Sequence, residues 1–330
     1  MPNNERFLVT GALGCVGAWA VCRLVREGVP VCIYDLGDDA YRLQTIMTDE
    51  ELQEVDLIEG DITDLDAFER VIAARGISHI LHLAALQVPF VRANPVRGAQ
   101  VNVVGTTVVF EAAERHRDQV QNLVFASSYG VYGEPEDYPP GPLAHDAPLL
   151  PPTLYGVFKQ CNEGTAQVYW REKSLYSIGL RPCVVYGPGR DQGWTSTPTK
   201  AMLAAALGRE YAITYGGTLI YQHAEDIAAA FIRVARTRLE GAPVYNLGGS
   251  TVSMDQLVAA IEEVLPEARG KISFDPTPLP HPSSADDSAL NEAAGPIEYR
   301  PLVQGVRDTV AVFRAAIEAG RLDVERALRS

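Results

Sequence analysis

Over its first 130 residues the chain alternates short apolar runs, rich in β-branched residues, with longer amphipathic stretches. The apolar runs predict strands at 7–10, 31–34, 57–59, 80–84 and 123–126. The amphipathic stretches predict helices at 15–27, 64–75 and 100–115. Such alternation is typical of βαβ units, whose strands pair in parallel within one sheet. The sequence therefore predicts an α/β fold built on a doubly wound parallel sheet of at least five strands.

The second half of the chain changes character after a proline-rich segment. Seven of the 22 prolines fall between Gly133 and Thr153, which predicts a loop. The later patterns predict helices at 155–171, 198–207, 224–236 and 303–317, a helix N-capped by Ser253, strands at 177–186 and 244–247, and a mostly irregular segment over 266–300. At 330 residues the chain exceeds the ~250–300 residues of one growing core. We therefore expect a smaller C-terminal lobe at the end of the sheet.

The charge balance argues against partners with anionic surfaces. The chain has 28 Lys and Arg against 42 Asp and Glu, a net charge of −14, which repels nucleic-acid backbones and anionic membranes. No stretch reaches ~18 apolar residues, and Met1–Arg6 lead into the first strand without the apolar segment of a signal peptide. The five cysteines form no C-x-x-C pair and predict reduced thiols. We expect a cytoplasmic protein that acts on a small molecule and binds neither nucleic acid nor membrane.

The turn between the first strand and the first helix carries three glycines in the sequence TGALGCVG, residues 10–17. Glycines there allow a tight turn, the approach of a diphosphate to N–H groups at a helix N-terminus, and close packing of helix on strand. In this strand–turn–helix context the motif predicts a dinucleotide-binding loop. A tight turn without a ligand is the alternative interpretation.

Two acidic residues follow the next two strands. Asp35 ends the second strand, where an acid accepts hydrogen bonds from the adenosine ribose hydroxyls. It would repel a 2′-phosphate and so favours NAD over NADP, although Arg42 nearby keeps NADP open. Asp61 follows the third strand and is a candidate acceptor for the adenine amino group, while Thr63 or Asp64 is a candidate N-cap for the next helix.

Ser128 and the pair Tyr155 and Lys159 carry the predicted chemistry. Residues four apart share one face of a helix, so the Lys159 ammonium can lie near the Tyr155 phenol and favour its ionised form. An unperturbed tyrosine has a pKa of ~10, too high for a base at neutral pH, so a nearby cation is required. Ser128 is placed to hydrogen-bond the same substrate oxygen. A Y-x-x-x-K pair alone is common, but here it follows the glycine loop, the acid and the serine in order.

Together these segments resemble the extended short-chain dehydrogenase/reductases, the group of NAD-dependent sugar epimerases and dehydratases. The similarity covers roughly residues 5–235. The segments that carry it are TGALGCVG (10–17), YD (34–35), GDITD (60–64), HLAA (82–85), NPVRGAQVNVVGT (94–106), FASSYGVYG (125–133), YGVFK (155–159), RPCVVYGPG (181–189) and HAED (223–226). We expect a Rossmann-type fold with residues 1–180 mainly forming the NAD-binding domain and 181–330 mainly the substrate lobe, their elements interleaved.

The resemblance also implies roles for individual residues. Tyr155 is the acid/base, Lys159 holds the nicotinamide ribose and lowers the Tyr155 pKa, Ser128 polarises the substrate oxygen, and Asn102 lies on the helix behind them. The implied NAD contacts are Gly11, Leu13, Gly14, Cys15, Val16, Gly17, Asp35, Asp61, Ile62, Leu83, Ala84, Ala85, Asn102, Tyr155, Lys159 and Pro182. The family further implies a homodimer through helices near 100–115 and 155–171.

The departures from the family pattern bear on the substrate. Ser128 is followed by Tyr129 and Gly130 where the dehydratases carry an Asp-Glu pair, which argues against dehydration. Leu219 stands where many nucleotide-sugar epimerases have an arginine for the sugar nucleotide, and Gln87 stands where some 4-epimerases have a lysine. Loss of such an arginine removes a charge-assisted contact of ~1.5–3 kcal/mol. These departures argue against a nucleotide diphosphate in the substrate.

A polar segment after YGPG is the candidate substrate contact of the second lobe. It contains Arg190, Gln192, Trp194, Thr195 and Ser196, which can bind hydroxyls or a carboxylate; a solvated loop with Arg190 in a surface ion pair is the alternative. The predicted substrate residues are Gln87, Ser128, Tyr129, Tyr155, Arg190 and Thr195. The six histidines are dispersed without ligand spacing, so we expect no metal site.

Three functions remain open from the sequence. The favoured one is an NAD-dependent dehydrogenase that oxidises a secondary alcohol of a sugar, sugar acid or similar polyhydroxy compound and releases the ketone. The close alternative is a nucleotide-sugar epimerase. There the ketone rotates within the site and receives the hydride back on its other face, so NAD is recycled. A non-catalytic NAD-sensing regulator on the same fold is the third, and the intact Ser128, Tyr155 and Lys159 argue against it.

Overall fold

The computed structural model describes residues 5–329, which form one large and two small sheets with helices around them. The strands are β1 Phe7–Thr10, β2 Val31–Asp35, β3 Val55–Glu59, β4 His79–His82, β5 Asn122–Ala126, β6 Ser177–Arg181, β7 Val184–Tyr186, β8 Tyr211–Ile213, β9 Thr218–His223, β10 Val244–Asn246, β11 Ser250–Ser253 and β12 Ile272–Phe274. Residues 1–4, part of the segment predicted to lead directly into the first strand, lie outside the described residues.

The α-helices differ widely in length, from single turns to the twenty residues of the helix that carries Tyr155. They are α1 Cys15–Arg26, α2 Tyr41–Ile46, α3 Asp49–Gln53, α4 Leu65–Arg75, α5 Val88–Ala93, α6 Pro95–Ala99, α7 Gly105–Arg115, α8 Leu154–Lys173, α9 Thr197–Ala206, α10 Ala224–Ala235, α11 Met254–Val264, α12 Ser288–Ala294, α13 Leu302–Glu318 and α14 Val324–Leu328. Within residues 5–329, none of them is both long and apolar enough to cross a membrane.

The large sheet has seven strands in the order β10-β6-β5-β4-β1-β2-β3, and every neighbouring pair is parallel. The chain lays down β1, β2 and β3 in one direction and then returns to place β4 on the other side of β1. Loops that leave neighbouring strands in opposite directions open a crevice at the carboxyl ends of those strands, and ligands bind there in doubly wound folds. The predicted α/β doubly wound sheet is confirmed.

Two apolar layers cover the sheet because successive strand residues point to opposite faces. Phe7 and Val9 of β1 pack in one cluster with residues of α1 and α10, such as Phe231. Leu8 points to the other face and packs with α4 and α7, including Phe68 and Phe110. Both faces are apolar, as a parallel sheet between helices requires. This sandwich fixes the carboxyl ends of β1, β4 and β5 beside one another.

The C-terminal part is organised around the two small sheets. One has the order β11-β9-β7, with β9 antiparallel to β11 and parallel to β7, and the other pairs β8 with β12 in parallel. Their shared core includes Tyr221, Met202, Ile261 and Val306, which come from β9, α9, α11 and α13. Ser253 N-caps α11 as predicted: its hydroxyl accepts from the Gln256 N–H while the Gln256 side chain accepts from the Ser253 N–H.

The predicted single strand at 177–186 is wrong, because the chain breaks at Pro182 and Cys183 into β6 and β7, which belong to different sheets. Pro182 has no N–H to continue a ladder. Its carbonyl accepts instead from the Tyr129 N–H at 2.9 Å, and the Cys183 N–H donates to the Gln222 side chain at 2.7 Å. The break carries the chain from the large sheet across the carboxyl ends of its strands into the second lobe.

Other differences are smaller. The helix predicted over 100–115 begins with a π-helical turn at Gln100–Val104 before α7. The candidate caps after β3 are resolved in favour of Asp64, whose carboxylate accepts from the Ala67 N–H at 2.9 Å. The sequence patterns missed the strands β8, β9, β11 and β12 and the short helices α2, α5, α6, α12 and α14.

Candidate active site

A cavity of about 680 Å³ opens at the carboxyl ends of β1, β4 and β5, where the order of the strands reverses. Its floor is formed by the segments that follow these strands, and its other side by residues of the second lobe. The lining includes Gly11, Leu13, Gly14, Cys15, Val16, Gly17, Asp35, Asp61, Ile62, Leu83, Ala84, Ala85, Gln87, Ser128, Tyr129, Tyr155, Lys159, Pro182, Arg190 and Thr195. All the predicted site residues except Asn102 therefore line one cavity.

The glycine loop leaves no room for a side chain at Gly11 or Gly17. Gly11 has φ +68°, and a Cβ built on it would lie 2.5 Å from the Ala84 backbone nitrogen. A Cβ on Gly17 would lie 2.4 Å from the Gly11 carbonyl oxygen. The loop thus packs against the segment after β4 and against its own helix, as the predicted motif requires.

The N-terminus of α1 faces the same cavity. Gly14 is its N-cap and supplies no side-chain acceptor, and the first turn contains no acidic residue. The N–H groups of Cys15, Val16 and Gly17 therefore have no side-chain acceptor in residues 5–329. An uncapped helix N-terminus with a positive dipole end suits a diphosphate.

Asp35 is held at the end of β2 by two backbone groups. Its carboxylate accepts from the Leu13 N–H at 2.9 Å and from the Leu36 N–H at 2.8 Å. Burial raises the pKa of Asp35, while the two N–H groups and the charge of Arg42 lower it. The carboxylate faces the glycine loop at the position predicted for a ribose acceptor.

Asp61 lies on the same side of the cavity and has other partners. It accepts from the Thr63 N–H at 2.9 Å and the Thr63 hydroxyl at 2.8 Å, and forms an ion pair with Arg97 at 3.1 Å. These contacts fix the carboxylate at the cavity edge. Its contact with adenine stays a prediction.

Ser128, Tyr155 and Lys159 meet at the inner end of the cavity. The Lys159 ammonium lies 5.8 Å from the centre of the Tyr155 ring and donates to the Ala126 carbonyl at 2.6 Å. The Ser128 hydroxyl accepts from the Gly130 N–H at 3.1 Å. Burial raises the pKa of Tyr155, whereas the Ser128 hydroxyl and the Arg190 charge lower it. The predicted trio is thus brought together, and Arg190 joins it.

Lys159 is enclosed by the protein and is only 3% exposed. Burial lowers its pKa to about 8, and the nearby carboxylate of Glu163 acts in the opposite direction. Glu163 is itself held by the buried Arg181 at 2.7 Å. His82 lies on the other side, shares hydrogen bonds with Thr10 and Thr106, and has a pKa lowered to about 3 by burial and by Lys159. The ammonium therefore sits among neutral or already paired groups.

Asn102 lies behind the cavity and lines no part of it. It is fully buried in the π-helical turn, its amide donates to the Leu86 carbonyl at 2.9 Å, and its oxygen accepts from the Leu86 N–H at 2.7 Å. π-helical turns are frequent at functional sites because they redirect one side chain. Asn102 here clamps the segment after β4 that forms the cavity floor.

The substrate side is built from side chains that bond to one another. Arg190 donates to the Gln87 oxygen at 3.2 Å and to the Thr195 hydroxyl at 3.0 Å, and its Nε is buried without a partner among the described atoms. Tyr129 is only 3% exposed, and its hydroxyl donates to the Ser284 carbonyl at 2.9 Å. Arg190 forms no ion pair with a carboxylate among residues 5–329, so the alternative of a surface ion pair does not hold in this structure.

Two lining residues, His281 and Phe90, carry no signal that the sequence patterns could use. His281 lies in the irregular segment, and its Nδ1 is buried without a partner among residues 5–329. Trp194 and Phe90 line the cavity while each is 41% exposed. Leu219, noted as a departure, also lines the cavity from β9 and is 1% exposed.

The described part of the chain contains no group of three or more His, Cys, Asp or Glu side chains placed to hold a metal ion. The cysteine thiols near the site are protonated at neutral pH, because burial raises the pKa of both Cys15 and Cys183 to about 12.

Comparison with known proteins places these features in context. The model of the NAD dependent epimerase/dehydratase family matches residues 7–248. The UDP-glucose 4-epimerase of Mycolicibacterium smegmatis is 31% identical over 328 residues, 94% of this chain and 98% of that protein.

Solved structures agree with this likeness. The UDP-glucose 4-epimerase of Thermotoga maritima, crystallised with UDP-glucose, is similar with a TM-score of 0.80 at 25% identity, covering 95% of this chain and all of that one. A monomeric L-threonine 3-dehydrogenase from a metagenome has the same fold, with a TM-score of 0.80 at 21% identity, covering 94% of this chain and 99% of that one.

Proposed function

Since the chain belongs to the NAD dependent epimerase/dehydratase family, we propose that it oxidises a secondary alcohol of a small polyhydroxy substrate through Ser128, Tyr155 and Lys159. Membership of the family confirms the predicted enzyme class, the extended short-chain dehydrogenase/reductase type, and NAD as the cofactor. Membership also supports an enzyme over a non-catalytic regulator. The substrate and the roles of the residues are the proposal.

The residues of the cofactor side fit NAD. The crowded glycines at 11 and 17 let a ligand approach the backbone, the uncapped start of α1 suits the diphosphate, and Asp35 suits the ribose hydroxyls. When bound, NAD accepts a hydride from the substrate carbon. Lys159 is the residue proposed to hold the ribose next to the nicotinamide.

Tyr155 is proposed to take the hydroxyl proton of the substrate. Its phenol is buried, so its neutral form is favoured, and the Ser128 hydroxyl and the Arg190 guanidinium offset part of this effect. A positioned acid/base of this kind contributes about 10²–10⁴ to the rate. Ser128 would donate to the same substrate oxygen while the proton leaves.

The observation that carries the choice of substrate is the free charge of Arg190. Among the arginines that line the cavity, Arg42 is paired with Asp191 and Arg97 with Asp61, whereas Arg190 has no carboxylate partner in residues 5–329. One guanidinium binds one carboxylate in a bidentate manner. With Leu219 supplying only apolar surface, this supports a sugar acid or a similar singly anionic compound as substrate, and a dehydrogenase as the activity.

The second candidate is a nucleotide-sugar epimerase. It is favoured by the 31% identity to the M. smegmatis UDP-glucose 4-epimerase, which extends over nearly the whole of both chains. In that case Arg190 would contact the diphosphate, and the exposed faces of Trp194 and Phe90 would contact the base or the sugar.

One experiment separates the two candidates. The NAD-loaded protein is titrated calorimetrically with UDP, GDP and dTDP, and in parallel is mixed with NAD and a panel of sugar acids while NADH absorbance is followed. The proposal expects no micromolar nucleotide binding and NADH formation from a sugar acid. Micromolar binding of any of the three nucleotides would contradict the substrate proposal and support the epimerase.

A homodimer in the cytoplasm, with residues 1–180 mainly binding NAD and 181–330 mainly binding substrate, is also part of the proposal. Support for the dimer comes from two packed regions that expose apolar side chains. Val96 and Val104 are 70% and 48% exposed before α7, and Leu154, Val157 and Val168 of α8 are 41–49% exposed. Light scattering at micromolar concentration would test it; a monomer mass would contradict it.

A further inference from the structure

An ion pair connects the cofactor side of the cavity to the second lobe. Arg42 of α2 and Asp191, in the loop after β7, are 2.8 Å apart, and their side chains are only 15% and 9% exposed. The Arg42 guanidinium also donates to the Leu13 carbonyl at 2.8 Å. A buried pair of this kind holds both partners more strictly than a surface pair does.

The position of Arg42 relates it to the adenosine end of the cavity. Leu13 is held from both sides, since its N–H donates to Asp35 and its carbonyl accepts from Arg42. Burial raises the pKa of Asp35, and the charge of Arg42 reaches the carboxylate and offsets part of that rise. Arg42 therefore lies at the edge of the pocket where the proposed function places the adenosine ribose.

A free arginine beside that ribose would attract the 2′-phosphate of NADP. In this structure Asp191 occupies the guanidinium. A 2′-phosphate would have to separate the pair or approach two carboxylates, Asp35 and Asp191, at once. Separating the pair costs free energy because a buried charge would lose its partner. Approaching the two carboxylates costs free energy because like charges repel.

We propose that Asp191 is a specificity-determining residue that excludes NADP by keeping Arg42 engaged. This inference rests on the proposed cofactor site. It assigns to the second lobe a part of the choice between NAD and NADP that the sequence attributes to Asp35 alone. Because Arg190 directly precedes Asp191 in the chain, this dipeptide faces both the adenosine end and the substrate end of the cavity.

The loop is anchored well enough to hold Asp191 in place. The Trp19 indole of α1 donates to the Pro188 carbonyl at 2.9 Å, and the Arg190 N–H donates to the Gly187 carbonyl at 3.0 Å. Lys200 is a second cation within reach of the Asp191 charge, and it donates to the Arg329 carbonyl. Removal of the Asp191 charge would therefore take away the only carboxylate paired with Arg42 among the described residues and the negative charge that acts on Lys200.

The test measures binding and does not depend on activity. Calorimetric titration with NAD and NADP is carried out on the unaltered protein, on Asp191→Asn and on the charge-preserving control Asp191→Glu. We expect Asp191→Asn to tighten NADP binding about tenfold or more and to change NAD binding less than about threefold. Asp191→Glu should stay within about twofold of the unaltered protein for both. An unchanged NADP affinity in a folded Asp191→Asn protein overturns the proposal.

A second variant covers the case in which Asp191→Asn does not fold. The double variant Arg42→Gln/Asp191→Asn removes both charges of the pair together, and its NADP affinity is compared with its NAD affinity because Arg42 also holds the Leu13 carbonyl. If Asp191 masks Arg42, the ratio of the two affinities stays within about twofold of that of the unaltered protein. A loss of NADP affinity that exceeds the loss of NAD affinity by fivefold or more would show that Arg42 already binds the phosphate, and would overturn the proposal. Failure of the unaltered protein to bind NAD at all is a different result, since it contradicts the cofactor site itself.

Discussion

The two sides of the cavity are built in different ways. The cofactor wall, defined as residues 11–17, Asp35, Asp61 and 83–86, is shaped by backbone: crowded glycines, an uncapped helix start and a carboxylate fixed by two N–H groups. The substrate wall, defined as Gln87, 190–195, Leu219, Leu279 and His281, is shaped by side chains, and all of them except Leu219 of β9 lie on connecting segments.

This difference has a physical basis. A diphosphate is recognised by backbone N–H groups at the N-terminus of a helix, and the strand and turn that precede the helix hold those groups in position. A substrate is recognised by particular side chains, which can be exchanged without altering the fold. The cofactor wall is therefore sensitive to added volume, and the substrate wall to removed charge.

Tyr155 lies where the two walls meet, and its loss should have the largest effect. We expect Tyr155→Phe to lower kcat by about 10³ or more, because only the proton-transfer oxygen is removed. NAD affinity should remain within about twofold, since the wall that holds the diphosphate is untouched. Stopped-flow turnover and calorimetric NAD binding measure the two quantities. Retention of most of the activity would show that another group takes the proton.

Gly11→Ala tests the cofactor wall by adding volume. The new Cβ meets the Ala84 nitrogen at 2.5 Å, and we expect NAD affinity to fall about 100-fold and the free energy of unfolding by about 3 kcal/mol. Gly28 is a matched control, because it has φ +69° but nothing within 4 Å of its Cβ position. Gly28→Ala should cost only about 1 kcal/mol and leave NAD binding intact. Equal effects of the two variants in calorimetry and urea unfolding would show that the close approach is unimportant.

Arg190→Ala tests the substrate wall by removing charge. We expect KM for an anionic substrate to rise about tenfold or more. We also expect the pH–rate profile of the variant to shift to higher pH. The Arg190 charge lowers the pKa of Tyr155, so its loss moves the deprotonation of Tyr155 to higher pH. NAD affinity should stay the same.

Arg92→Ala is the matched control for that variant. Arg92 is exposed and lies over the Trp194 ring at 5.3 Å, but it does not line the cavity. We expect its loss to change KM less than about twofold. Equal effects of the two arginine variants would indicate general attraction of an anion and no defined subsite.

The same division explains what the sequence could predict. On the cofactor side, β1 and the glycine loop lie at the predicted positions, because strand, turn and helix are contiguous and each has its own pattern. The strand predicted at 177–186 shows the limit. Its apolar residues form β6 and β7 in two different sheets, and an apolar pattern does not specify which sheet a strand joins.

The substrate wall was only partly predictable. Gln87 and Leu219 were noticed as departures from the family pattern, Arg190 was noticed in the polar segment after YGPG, and all three line the cavity. His281 is a single histidine in an irregular segment and has no pattern around it. Asp191 gave no signal because its partner Arg42 is 149 residues away in the chain. Contacts of this kind depend on tertiary packing, which local periodicity does not encode.

Lys159, between the two walls, should show the smallest effect, and it concerns stability. Burial lowers the pKa of Lys159 from 10.5 to about 8, so the folded state disfavours the charged form by about 3 kcal/mol. Below pH 8 both states carry the proton and the full cost applies. As the pH rises from 8 towards 10.5, the folded protein releases its proton first, and the cost disappears.

Lys159→Met removes this titration but leaves the Ala126 carbonyl without its donor, a loss of about 1–2 kcal/mol. We therefore expect the variant without cofactor to be about 1–2 kcal/mol more stable than the unaltered protein at pH 7, and less stable by a similar amount near pH 10.5. Urea unfolding at the two pH values measures the difference, and Lys173→Met, at an exposed lysine, should show no such reversal. A Lys159→Met protein that is less stable at both pH values would mean that the ammonium is already compensated in the folded state, by Glu163 or another group. Lys159 would then be a stabilising part of the folded protein, as the glycine loop is, and the difference between the two walls would not extend to the residue between them.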